Sequence, residues 1–386
     1  MEDRKTSDMI SAVAAGFGLG RPSSVIEVKA GKINRTYRVS FPAGSGSVSG
    51  SGSCSGSVSG SFAGSGDYIF QKVNTSVFRE PRKVMHNIAA VASHMRTHHP
   101  DIACPSFLAA ADGKNFLETG DGFWRVCPLI ESETFLNTTD TAVVRKHGAA
   151  FGSFLRSLSD MDPALLEMTI PDFHNTTLRF AGLESDFGND VLKRASGCEK
   201  EVHYVLSMRD KACILDRLHS EGRLPLRVVH NDTKLSNVLF DKAGGKPLCI
   251  IDLDTVMPGL AGHDFGDSIR SCTNAAGSSC TDYERICMDM ELFRAYTEGF
   301  LSRAAACLTQ EEISTLADSA LVLTLEQAAR YLDDYLTGDT YFRTDHEGQN
   351  LERARNQIAL ARDMDRKMPQ MKRIVEEISR EIMSVR

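Results

Sequence analysis

The residues best able to do chemistry lie in Val-Val-His230-Asn231-Asp232-Thr233-Lys234-Leu235-Ser236-Asn237, followed by Leu-Cys-Ile-Ile-Asp252-Leu253-Asp254. Two apolar runs each end in polar and charged side chains. Phosphoryl transfer asks little covalent chemistry of a protein. It needs a carboxylate at the attacking hydroxyl and oxygen ligands for a magnesium ion bridging the phosphates. A His-x-Asp-x-x-x-x-Asn loop supplies both, because the Asp meets the hydroxyl while the Asn five residues on turns back to the metal. The spacing predicts Asp232 as the catalytic base. It predicts Asn237 and Asp252 as magnesium ligands, with Asp254 as an additional one, and Lys234 as a cation that neutralises charge on the transferring group. Ordinary turn residues explain either segment alone; they do not explain both in this order, each behind an apolar strand.

Such side chains need strand ends brought together on a larger scaffold. A chain of 386 residues suits two lobes better than one core. Helical spacing over residues 7–17 gives way to strand alternation from Val25 to Val39, broken at Gly31 and Lys32, which predicts a hairpin. From Pro42 to Gly66 the chain is almost pure Gly and Ser, too poor in apolar side chains to repay ordering. Strand-like runs at Arg35–Ser40 and Asp67–Val73 flank it, so it is expected to extend a hairpin tip without disturbing the sheet. A helix over 76–96 and two strands within Asn115–Ile130 complete a small lobe. From about residue 139 the pattern is helical, interrupted by strands between Arg227 and Met257. The expected fold class is α+β: an N-terminal lobe with an antiparallel sheet (residues 1–130, residues 43–66 being the Gly/Ser insert) and a mainly helical C-terminal lobe (residues 131–386).

Composition narrows the partners. A hydrophobic share of 42% and a charged share of 25% are those of a globular chain. A formal net charge of −7 offers no general attraction to nucleic acid or anionic lipid, which leaves a small-molecule substrate. The ten cysteines are scattered with no Cys-x-x-Cys pair, as reduced thiols in a core would be. No apolar run is long enough to span a bilayer, and the charged start Met-Glu-Asp-Arg-Lys is not followed by a signal-peptide apolar run, so the expected location is the cytoplasm.

The loop and the Asp252 strand together resemble the aminoglycoside phosphotransferase and choline kinase superfamily, whose members have a bilobal protein-kinase-like fold. Within it, His-Asn-Asp-Thr-Lys at 230–234, Ile-Asp-Leu-Asp-Thr-Val-Met-Pro-Gly at 251–259 and His-Asp-Phe-Gly-Asp at 263–267 are similar to the N-acetylhexosamine 1-kinases. Further matching phrases are Asn34-Arg-Thr36-Tyr37, Gln71-Lys72-Val73-Asn74, Trp124-Arg125, Phe173-His174-Asn175-Thr176 and Tyr335 to Phe342. The resemblance implies transfer of a phosphate from ATP, with Mg2+, to the anomeric hydroxyl of N-acetylglucosamine or N-acetylgalactosamine. It implies sugar contacts from Arg330 and Tyr341, and a second-sphere role for Asp264 in buttressing the loop. On the nucleotide side, Ala30 to Thr36 resembles the phosphate-covering loop, with Asn34 and Thr36 supplying hydrogen bonds in place of missing glycines. Strand alternation sends only one of Gln71 and Lys72 toward the phosphates; Lys72 is preferred for its charge, with Glu80 as a possible partner. The rival readings are a kinase of this fold acting on choline, homoserine or an antibiotic, and a catalytically inactive nucleotide-binding scaffold.

Overall fold

The computed structural model describes residues 2–28, 33–42, 66–99, 103–242 and 245–384. The turn at Gly31 and Lys32, the first part of the expected phosphate-covering loop and the Gly/Ser insert up to residue 65 lie outside the described residues. The chain divides into two compact units, Met1–Ser132 and Glu133–Arg386.

The first unit contains α1 (Glu2–Gly16), β1 (Ser24–Val28), β2 (Arg35–Ser40), β3 (Asp67–Val73), α2 (Pro81–His98), β4 (Leu117–Thr119) and β5 (Gly122–Pro128). Its five strands form one antiparallel sheet in the order β1-β2-β3-β5-β4. The Gly/Ser stretch joins β2 to β3, which pair without a break from Ser40↔Asp67 to Arg35↔Lys72. The amide of Phe41 donates to the carbonyl of Gly66 at 3.0 Å, closing the ladder where the insert leaves it.

Side-chain alternation splits this sheet into two chemically different faces. Tyr37, Val39, Phe70, Trp124 and Val126 are buried in one core with Ile10, Val13, Ala14 and Phe17 of α1. The other face carries Thr36, Gln71 and Arg125, which sit side by side in the register. Arg125 there reaches Met85 of α2.

The second unit contains α3 (Thr141–Ser157), α4 (Thr176–Asn189), α5 (Glu199–Ser207), α6 (Arg209–Ala212), α7 (Ile214–Ser220), β6 (Arg227–Val229), β7 (Val238–Phe240), β8 (Pro247–Ile250) and β9 (Met257–Gly259). After these come α8 (Ala261–Cys272), α9 (Met290–Ala304), α10 (Gln310–Ser314), α11 (Leu316–Thr337) and α12 (Gln349–Ser384). The short strands pair as two antiparallel ribbons, β6 with β9 and β7 with β8. Between Leu316 and Ala329, α11 is buried on almost every side, as its apolar composition requires, and α4, α8 and α12 pack around it.

The seam between α3 and α9 depends on glycine. A Cβ added at Gly148, Gly152 or Gly299 would come within 3.0 Å of a backbone carbonyl oxygen of the facing helix. Backbone cannot rotate away as a side chain can, so the helices would have to separate. Gly299→Ala is therefore expected to destabilise the protein by about 2–3 kcal/mol, overpacking outweighing the roughly 1 kcal/mol gained in helix propensity. A melting midpoint equal to or above that of the parent protein would refute this.

Candidate active site

The loop from His230 to Asn237 leaves β6, turns at Leu235–Asn237 and enters β7, while Asp252 follows the end of β8. Asn231 and Asp252 adopt left-handed backbone angles, φ +64° and +63°. Asn and Asp tolerate that region better than most residues, but it still costs energy that the surroundings must offset.

The surroundings do so with side chains. One carboxylate of Asp264, at the start of α8, accepts the backbone N–H groups of His230 and Asn231 at 2.9 and 2.7 Å. Asp267, one turn along, accepts the N–H of Thr233 at 2.8 Å. The loop carbonyls are held as well: Thr255 donates to that of His230, His174 to that of Asn231, and His147 and Ser268 to that of Thr233. His230 accepts the N–H of Asp232 on Nδ1, so its Nε2 carries the proton and donates to Ile251 at 3.0 Å, tying the loop to the strand that ends in Asp252. Asp264 is buried and its carboxyl is pushed up by that burial, against the pull of His230 and the two N–H donors. It supports the loop from behind.

In front of this frame four of the expected residues meet. Lys234 Nζ lies 2.6 Å from Asp232 Oδ2 and 3.8 Å from Asp252 Oδ2. Asn237 donates its Nδ2 to the carbonyl of Asp232 at 2.8 Å and to Asp232 Oδ2 at 3.1 Å, which leaves Oδ1 as the atom that could face an ion. Burial would raise the carboxyl of Asp232, but the charge and hydrogen bond of Lys234, with His230 and Asn237, hold it below the ordinary range, so it is ionised. Lys234 is raised despite burial, because two carboxylates face it. Asp254 differs: it is 2% exposed within the turn Leu253–Thr255, whereas the Asp252 side chain keeps 36%. Asp252 is thus the more open of the two carboxylates expected to bind an ion.

Arg330 and Tyr341 are also brought together. Asp334, near the end of α11, accepts the N–H groups of Thr340, Tyr341 and Phe342, folding the chain back after Gly338. Arg330 Nη2 then lies 3.3 Å from the Tyr341 hydroxyl. Its guanidinium sits 5.0, 5.5 and 5.4 Å from the rings of Phe173, Tyr341 and Phe342.

The residues expected on the nucleotide side fall on two faces of the first sheet. Lys72 shares the α1 face of the first sheet with Trp124, its Nζ 6.0 Å from the indole ring. Thr36 is on the opposite face, so the two cannot approach one phosphate together. Glu80 does not pair with Lys72; it precedes α2 and meets Lys83 at 2.8 Å. Beside Thr36 stand Gln71, whose Nε2 lies 3.3 Å from the Thr36 hydroxyl, and Arg125, whose Nε donates to Gln71 Oε1 at 2.9 Å. Asn34 Oδ1 accepts the N–H of Asn74 at 2.9 Å, pinning the chain beyond β3. Alternation had already separated Gln71 from Lys72, and it is Gln71 that shares a face with Thr36.

A model of the phosphotransferase enzyme family, APH, matches residues 24–287. The chain belongs to this family. Several solved structures resemble it over most of its length. A microcompartment-associated aminopropanol kinase is 12% identical, with a TM-score of 0.57, over 95% of this chain and 98% of that one. A spectinomycin phosphotransferase in complex with ADP and spectinomycin is also 12% identical, with a TM-score of 0.57, over 94% and 98%. Choline kinase from Cryptosporidium parvum Iowa II is 13% identical, with a TM-score of 0.53, over 90% of each chain. At these identities the likeness is one of fold: an antiparallel sheet unit followed by a mainly helical unit, the protein-kinase-like α+β arrangement. Among the described residues no helix is long and apolar enough to cross a membrane.

Proposed function

We propose that this phosphotransferase moves the γ-phosphate of ATP to the anomeric hydroxyl of an N-acetylhexosamine, giving the sugar 1-phosphate. The observation that carries the reading is the meeting of Asp252 with Asp232, Lys234 and Asn237, the last three on a loop whose backbone is held from behind. An ionised Asp232 orients the acceptor hydroxyl and takes its proton, which is the modest assistance an in-line transfer needs. An anomeric hydroxyl suits this base, being more acidic than a simple alcohol. Lys234 sits where it can balance charge on the transferring group.

Asp252 and the Oδ1 of Asn237 form the hard-oxygen donor set that magnesium prefers, and Lys234 now stands between the carboxylates as a cation. The ion, when bound, neutralises phosphate charge. On the nucleotide side the proposal rests on Thr36 and Gln71, with Arg125 as the cation behind them, in place of Lys72.

For the acceptor, Arg330 and Tyr341 support a sugar over choline. A quaternary ammonium needs aromatic faces around it, but the rings of Phe173, Tyr341 and Phe342 already surround a guanidinium. The cation would be repelled where the cage should be. A panel of N-acetylglucosamine, N-acetylgalactosamine, choline, homoserine and an aminoglycoside, read by ADP release, tests this, and phosphorus and proton NMR then locates the phosphate. The expected product couples its phosphorus to the anomeric proton. Faster turnover of choline, or a phosphate on another carbon, would overturn the assignment.

A further inference from the structure

Behind the loop that carries Asp232, the second unit has a solvent-open cavity of about 320 Å³. None of Asp232, Lys234, Asn237, Asp252, Arg330 or Tyr341 lines it. Asn231 does, together with Phe173 and His174 from the turn before α4, Met257 to Gly259 of β9, and His263 of α8. Gly259 sits tightly on this wall, since a Cβ there would come within 3.0 Å of Val229 and crowd Asn231 and His263.

The polar atoms on its wall are unevenly matched. His263 is 8% exposed; its Nδ1 accepts the N–H of Leu260 at 3.3 Å, so the proton is on Nε2, for which no acceptor is found among the described residues. Burial and the neighbouring charge of His174 push its imidazole down to about 3, so the ring stays neutral and is a single hydrogen-bond donor. Nε2 is not closed off from solvent, so it can donate to a ligand oxygen in place of water. Asn175 and Asn231 bring amide groups whose Nδ2 atoms already donate to Asp172 and to the carbonyl of Thr255, and the rest of the wall offers acceptors. Asp172 and Asp216 contribute carboxylates, and Thr177 uses only Oδ2 of the latter. His219 donates Nδ1 to the carbonyl of Leu224 at 2.8 Å, which leaves Nε2 as an acceptor.

We infer that this cavity is a second small-molecule site, for an uncharged polyhydroxylated ligand about the size of one sugar ring. Its volume is at the lower end of the roughly 300–1,000 Å³ found for ligand pockets, too small for a nucleotide. Two carboxylates exclude phosphates and phosphate esters, and they accept the several O–H groups of a polyol. The His263 donor requires an oxygen with a lone pair, which a simple ammonium lacks. Phe173 is a shared wall: one side lies under Arg330 and the ring also borders the cavity.

The test is calorimetry on the full chain with methyl glucoside, methyl galactoside and myo-inositol, none of which has a free anomeric hydroxyl, alongside spermidine and inorganic phosphate. Binding needs no turnover, so it stands or falls separately from the proposed sugar kinase activity. At least one polyol is expected to bind. Binding should weaken about tenfold or more in Leu226→Trp, which fills the rim, and in His263→Phe, while Arg330→Ala changes it less than about twofold, each variant being checked for an unchanged melting curve. The inference is overturned if no polyol binds at tens of millimolar, if spermidine or phosphate binds instead, or if Arg330→Ala abolishes binding that Leu226→Trp retains.

Discussion

Asp232→Asn is expected to lower turnover about a thousandfold while leaving nucleotide affinity within a factor of about two, the loss typical of a positioned proton acceptor. Asn is isosteric, and its side-chain oxygen can still accept from Lys234 and Asn237, so the loop should keep its shape. Only the negative charge and the basic lone pair are gone. The backbone is held independently by Asp264, Asp267, Thr255 and His174, so the variant should melt close to the parent. Steady-state kinetics with a separate nucleotide titration distinguishes the outcomes. Undiminished turnover would remove Asp232 from the reaction, and loss of nucleotide binding would show that its carboxylate serves the triphosphate instead.

That expectation was legible in the sequence because the loop and the following strand are local: eight residues set the spacing of Asp232 and Asn237, and β8 delivers Asp252. The frame behind them was only partly legible. Asp264 and Asp267 belong to the His-Asp-Phe-Gly-Asp phrase, but nothing local tells that His147 of α3 and Ser268 of α8 converge on one carbonyl, that of Thr233. Those contacts span 86 and 35 residues and depend on how helices stack. On the first sheet, period-2 alternation correctly put Gln71 and Lys72 on opposite faces. It could not say which face α1 would cover. Glu326 left one faint signal: a single charge in the run Leu321 to Ala329, which is otherwise apolar apart from Thr324 and Gln327.

That carboxylate is half of a buried ion pair with consequences for pH. His174 has acceptors at both nitrogens, Glu326 Oε1 at 2.7 Å and the carbonyl of Asn231 at 3.1 Å, which requires both to be protonated. Thr176 donates to the other Glu326 oxygen at 2.7 Å. Burial disfavours the imidazolium, but the Glu326 charge and the two hydrogen bonds outweigh it and raise His174 above its ordinary 6.5. Burial likewise opposes ionisation of Glu326, yet His174, Arg330 and Thr176 hold it down to about 2. A raised histidine stabilises the fold fully below pH 6.5, and its contribution is lost as pH climbs through the raised value. A depressed carboxylate does the reverse, contributing above pH 4.5 and failing as pH falls toward about 2. The pair is therefore at full strength between pH 4.5 and 6.5. Glu326→Gln should cost about 3–5 kcal/mol in that window, because it leaves a buried cation without its anion. Denaturant unfolding of parent and variant at pH 5.5 and pH 9 measures it, and the gap should narrow at the higher pH as His174 becomes neutral in the parent. A pH-independent gap would mean that Glu326 acts by shape and hydrogen bonding alone. Because His174 holds the carbonyl next to Asp232, the same variant should lose activity most at high temperature, where the loop is first released.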